Sequence, residues 1–228
     1  MSDAPSFDER SKAGRSLPPV WSVPIVAAFV FVGLYATAAV LYPGGTYQEP
    51  SRSGYSFVDN YFCDLLDAQT KAGRGNPGRP VAIAAMVVLC VGISVFWWSV
   101  PKLFPGARVR AAVVRASGLA SGLVTPWVAT RAHDAVIHGA GLLGVIGFVG
   151  TMTAPGSHRT RTVEVAACTA IAFVVANYLI WVTRVGLAWM ALVQKGAFSF
   201  FLLWMVLVAL RLRGPRAPFE KRGSGARS

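Results

Sequence analysis

Apolar residues in this sequence gather into six long blocks, and that arrangement predicts an all-α, polytopic membrane protein. Three observations carry the prediction. Only 14% of the 228 residues are charged and 54% are hydrophobic, whereas a soluble domain carries about 25% charged residues. The mean hydropathy is +0.50, which implies more apolar surface than one core of this size hides. Each block runs about 20 residues, the length that crosses a hydrocarbon core. An ordinary cytosolic enzyme, a disordered chain and a secreted disulfide scaffold are thereby excluded.

Residues 1–19 are polar, carry Arg10, Lys12 and Arg15, and read as a flexible cytoplasmic arm. The membrane domain, 20–213, opens with an apolar run over 20–42. A basic segment precedes this run and Ala36-Thr37-Ala38 offers a small-residue cleavage site, as in a signal peptide. The run exceeds the usual apolar region of such a peptide, so it reads as an uncleaved span. Further spans are predicted over 80–100, 111–130, 133–154, 163–183 and 191–212, the last led in by a short amphipathic piece over 186–189. Arg115 near the start of the third span and Glu164 at the start of the fifth fall at one depth, where a pair would offset both charges. Residues 214–228 are basic, rich in Gly, Pro and Ser, and read as a disordered cytoplasmic tail.

Lys+Arg number 22 against 10 Asp+Glu, a net charge of +12. No basic stripe with interleaved aromatics accompanies this excess, so nucleic acid is not the expected partner. Membrane lipids are, because the cations cluster between and beyond the apolar blocks. Fifteen of the 22 fall on the side of the two termini and seven on the other. The positive-inside rule then places both termini in the cytoplasm, the protein in the cytoplasmic membrane, and the long loop 43–79 outside. Trp21, Trp97 and Trp98 are expected at the inner interface, and Trp127, Trp181 and Trp189 at the outer one. Gly118, Gly122, Gly141, Gly144, Gly147 and Gly150 give the third and fourth spans small residues for close packing. Of three cysteines, Cys90 and Cys168 lie inside apolar blocks as core residues, which leaves Cys63 for chemistry.

Loop 43–79 is the informative segment. Ser56 with Asp59 resembles a capping box, and Val58, Phe62, Leu65 and Leu66 fall at helical spacing. Asn60, Cys63, Asp64 and Asp67 form a second stripe. The spacing predicts a short amphipathic helix over 56–70 at the outer interface. Its acidic polar face is either solvated or turned inward over the mouth of the bundle. Arg131, His133, Asp134, His138 and Lys195 converge on the same rim, as does Asn177, whereas His158 belongs to a solvated loop on the other side. Ionisable groups at membrane depth are costly and mark function. Asp64, Asp134, His133 and His138 are a candidate Zn²⁺ set with room for an activated water. Alternatively, Asp134 orients His138 as a general base and Lys195 holds an anionic headgroup. On either scheme Asp64, Asp134 and His138 are the candidate catalytic residues. Ser56, Asn60, Cys63, Asp67, Arg131 and Lys195 are the candidate binding residues. A satisfied polar network without chemistry is the plain alternative.

The stretch Tyr42-Pro43-Gly44-Gly45, followed by Gly54-Tyr55-Ser56-x3-Asn60-x2-Cys63-Asp64-Leu65-Leu66, resembles a motif of a known group. It is similar to the first external loop of six-helix prokaryotic membrane proteins of unknown function allied with the DRAM-like autophagy modulators. Ser56, Asn60, Asp64 and Leu65 match, while Cys63 and Leu66 replace a serine and a glycine. The resemblance implies a six-helix fold and a membrane location, and no mechanism. Asn60-x3-Asp64-x2-Asp67 also resembles the diphosphate–Mg²⁺ motif of membrane prenyltransferases, but no second aspartate motif follows. Two readings of function result: a polar outer pocket that binds a lipid or other amphiphile, and a membrane-embedded, metal-dependent hydrolase or transferase acting on a lipid.

Overall fold

The computed structural model describes residues 19–156 and 158–213, without the side chains of His133 and Asp134; the predicted arm up to residue 18 and the tail 214–228 lie outside the described residues. Six α-helices run up and down: α1 Val23–Val40, α2 Arg79–Ser99, α3 Arg108–Val124, α4 His133–Met152, α5 Arg161–Thr183 and α6 Met190–Arg211. No β-strand occurs among the described residues. Five helical segments, those containing α1, α2, α4, α5 and α6, are long and apolar enough to cross a membrane. The third helix is the exception. Its 17 residues include Arg108, Arg110 and Arg115, and Pro126, which has no N–H to continue the ladder, turns its end into a 3-10 segment over Thr125–Ala129.

Local chemistry explains most boundaries. Pro24 and Pro80 sit in the first turns of α1 and α2, where the missing N–H costs nothing. Helix α5 ends in a left-handed turn at Arg184 and Gly186, with φ of 62° and 80°. A 3-10 turn over Leu187–Trp189 then leads into α6.

The helices pack in the order α5, α6, α1, α2, α3, α4, and the circle is not closed, because α4 and α5 barely touch. Small residues set the tight contacts. A Cβ on Gly118 would lie 2.1 Å from Trp97, one on Gly122 2.6 Å from Ser94 Oγ, and one on Gly150 2.6 Å from Val114. Gly141 departs from this expected packing role, since no neighbour lies within 4 Å of its would-be Cβ.

The core also corrects several expectations. Trp97 does not face outward: it is fully buried against Phe96 and Trp204, while Trp98 beside it is exposed. Cys168 is exposed rather than core, because α5 packs chiefly on α6 and turns much of its surface outward. Arg115 does not meet Glu164. It lies over the Trp98 ring at 4.7 Å, and Glu164 pairs at 3.0 Å with Arg159, five residues before it. His158 is not solvated but 0% exposed. It packs against Phe104, with Nε2 3.1 Å from the Thr151 carbonyl.

Candidate functional site

The loop between α1 and α2 folds over one end of the bundle. Instead of the helix expected over 56–70, it forms turns and a single 3-10 segment, Cys63–Leu65. The reason is visible in its hydrogen bonds. Asn60 Oδ1 accepts from the Ser56 N–H at 2.9 Å, and Asp64 Oδ2 accepts from the Tyr61 N–H at 2.9 Å. Asp64 thus takes the Tyr61 N–H that a helix would pair with the Phe57 carbonyl, while Asn60 ties down the turn that begins at Ser56. The capping pair survives within a turn, with Ser56 Oγ donating to Asp59 at 2.6 Å and accepting from the Asp59 N–H at 3.2 Å.

Asn60 and Asp64 turn inward, as one reading of the polar stripe required, but they serve the loop itself. Asn60 is fully buried, and its amide donates to the Gly45 carbonyl at 2.9 Å and to Asp64 at 2.8 Å. Asp64, 3% exposed, also faces the Lys71 ammonium at 3.4 Å. Asn76 ties the loop's exit by donating to the carbonyls of Leu65 and Asp67, each at 3.0 Å. Asp67 points outward, 45% exposed, and pairs with Lys71 at 3.0 Å. Burial pulls the Lys71 ammonium down, yet the Asp67 and Asp64 carboxylates outweigh it and hold its pKa above the usual lysine value. Burial, reinforced by the Asp64 charge, pushes the Tyr55 and Tyr61 hydroxyls up.

Contacts from α1 and α6 pin this loop to the helices. The Tyr35 hydroxyl of α1 donates to the Phe62 carbonyl, and Gln194 Oε1 of α6 accepts from the Phe62 N–H at 3.0 Å. The buried Lys195 ammonium donates to the Asn60 carbonyl and, at 3.2 Å, to that of Ala191. It lies 5.2 Å from the Phe57 ring centre and 5.8 Å from those of Tyr55 and Phe62, a favourable setting for a desolvated cation.

Beneath the pinned loop, the helices enclose a cavity of about 350 Å³ to which all six contribute. Its walls are almost wholly apolar, with Met86, Leu89, Phe148 and Phe201 among them and Trp97 at the end away from the loop. Polar groups gather toward the loop: Cys63, Ser121, Thr125, Asn177 and Gln194. Ser121 and Thr125 give their hydroxyl protons to the Ala140 and Ser121 carbonyls. Asn177 Oδ1 is buried without a hydrogen-bond partner. A second pocket of about 290 Å³, lined by Tyr47, Tyr61, Asp64, Asp67, Lys71 and Thr130, lies on the loop side. Cys63, Leu66 and Val128 line both spaces.

The sequence-derived site residues therefore separate into groups. Ser56, Asn60 and Asp64 order the loop, Lys195 fastens it, Cys63 stands at the wall between the two pockets, and Asp67 faces the smaller one. Arg131 is exposed. The His138 ring packs against Trp181 of α5, with ring centres 4.7 Å apart and planes tilted by 58°. The side chains of His133 and Asp134 lie outside the described residues, so the four-residue zinc set has Asp64 and His138 as its described members. Among the described residues no three His, Cys, Asp or Glu side chains come together as a metal site. Gln194 and Asn177 hold the polar end of the cavity. The Gln194-Lys195 pair inside an apolar span was the sequence signal for the first, and a single Asn in an apolar span for the second. The chain matches no family model, no curated protein and no solved structure.

Proposed function

We propose that this protein binds a lipid or other amphiphile in the cavity beneath the loop. The observation that carries the reading is the cavity's polarity gradient. About 350 Å³ of nearly apolar space ends in the unpartnered Asn177 carbonyl oxygen and the Gln194 amide. The volume lies in the range of small-molecule sites. Water is a poor occupant of its apolar part, since an ordered water needs two to four polar partners. A hydrocarbon chain whose first polar group meets Asn177 and Gln194 suits both ends. The excess of Lys and Arg on the side of the termini supports a cytoplasmic-membrane location with the loop outside. The likeness to DRAM-like proteins, resting on Ser56, Asn60, Asp64 and Leu65, belongs to the same proposal.

Native mass spectrometry of gently purified protein tests the reading. One bound amphiphile per chain is expected in the wild type. It should be lost in Ala197→Trp, which fills the cavity from α6. Equal occupancy in the variant, or an empty wild type, would overturn it.

A further inference from the structure

Resting on that reading, the cavity's route of access narrows the ligand class. Helices α4 and α5 follow one another in the chain and yet barely touch. Along the space between them the cavity wall is also outer surface: Ile137 and Gly141 of α4 and Val174 of α5 line the cavity while remaining exposed. The opening is bounded at both ends. Toward the loop the His138 ring meets Trp181 across the two helices, and away from the loop the short connection from Met152 to Arg161 joins them. Gly141 lies eight residues into α4, roughly 12 Å below its start at 1.5 Å per residue, a depth that falls in hydrocarbon for a membrane-crossing helix. The flanks agree, with Leu142 and Ile146 on α4 and Val175 and Leu179 on α5 all exposed and apolar.

Gly141 lines this window and is exposed. Gly147 and Gly150, on the same helix, meet Trp97 and Val114, so they are there for packing. No atom lies within 4 Å of a Cβ built on Gly141, so packing does not require its smallness. A side chain there would project into the opening. We infer that the window between α4 and α5 admits a hydrocarbon chain of a bilayer lipid sideways from the membrane, so that the ligand is a membrane-resident lipid and not an amphiphile delivered from water.

The test uses the full chain in phosphatidylcholine vesicles containing a fraction of lipid with a mid-chain diazirine, irradiated and mapped by peptide mass spectrometry. In the wild type, label is expected on the interior residues Leu89 and Trp97 as well as on Val87 and Val91, which face outward from the same helix. In Gly141→Phe the interior label should disappear and the outer label persist, which also reports correct insertion. Gly139→Phe is the control, because Gly139 likewise has open space at its Cβ but does not line the cavity; it should label as the wild type does. Val174→Trp plugs the window from α5 and must reproduce the loss. Interior labelling that survives both plugs would overturn the lateral route while leaving amphiphile binding intact. So would a wild-type interior labelled only by diazirine lysophosphatidylcholine added from solution. A wild-type interior labelled by neither probe would overturn the binding reading itself.

Discussion

At the loop end, the bundle is closed by amide, carboxylate and ammonium groups bonded to one another and to backbone carbonyls. At the opposite end it is closed by Trp97, Trp204, Phe96 and Phe148, with Trp204 centred 4.3 Å from Phe148 and 5.4 Å from Phe96. The two closures follow different physics. Hydrogen bonds are directional and fail outright when one partner is removed, leaving buried groups unsatisfied. Ring packing is tolerant in direction and intolerant in volume. The cavity lies between them, with its polar groups toward the first closure and its apolar floor against the second. Damage to each end should therefore have its own signature.

The largest effect is expected at the polar end. Asn60 makes three hydrogen bonds within the loop, and its carbonyl receives Lys195. Asn60→Ala strands the Ser56 N–H, leaves the Gly45 carbonyl with only the longer bond from the Tyr42 hydroxyl at 3.3 Å, and takes a donor from Asp64, for a loss on the order of 3 kcal/mol. Hydrogen exchange should accelerate across residues 43–78 while the helices below keep their protection. Unchanged exchange in the loop would show that Asp64, Asn76 and the helix contacts hold it without Asn60.

The next largest effect lies at the aromatic end. In Gly118→Ala the new methyl would fall 2.1 Å from Trp97 Cγ and 2.4 Å from Cδ2. Trp97 is fully buried, so either its ring or α3 must move, at a cost of about 2 kcal/mol. The thermal midpoint should fall and the near-ultraviolet tryptophan signal should change, with loop exchange unaltered. A variant whose loop exchange rises as much as in Asn60→Ala would mean that the two closures are one cooperative unit.

How much of this was legible in the sequence depends on what kind of physics fixed it. The helices were, because a run of about 20 apolar residues has few other fates. The loop's inward Asn60 and Asp64 were visible as a stripe, but spacing alone does not tell a helix from turns in which those side chains replace backbone partners. Both arrangements place residues i and i+4 together. Trp97 and Trp98 are neighbours with opposite fates, and so are the packing glycines of α4 and Gly141. In each case the deciding fact is which neighbouring helix faces the position, and periodicity carries no such information. His158 was hidden for the same reason: its niche is made by Phe104 and the Thr151 carbonyl, which are distant or unremarkable in the sequence.

The smallest effect tests how far the polar closure depends on its ion pairs. Lys71 sits between the buried Asp64 and the half-exposed Asp67, and solvent screens the outer pair. Lys71→Met should therefore cost less than about 1 kcal/mol at neutral pH, since Asp64 keeps its bonds from Asn60 and the Tyr61 N–H. The dependence on pH has a definite sign. The folded state holds Lys71 above the ordinary lysine value of 10.5 and Tyr55 above the ordinary tyrosine value of 10.0. For both, the proton-bound form is the one the fold favours, so their stabilisation is complete below those values and is lost as pH rises past them. Loop exchange in the wild type should be level through neutral pH, once corrected for intrinsic rates, and its protection should fall above about pH 10. In Lys71→Met the alkaline fall should remain, because Tyr55 still titrates, but with a shallower slope. A neutral-pH loss as large as that of Asn60→Ala would move the centre of this closure from the Asn60 amide to the Lys71 ammonium.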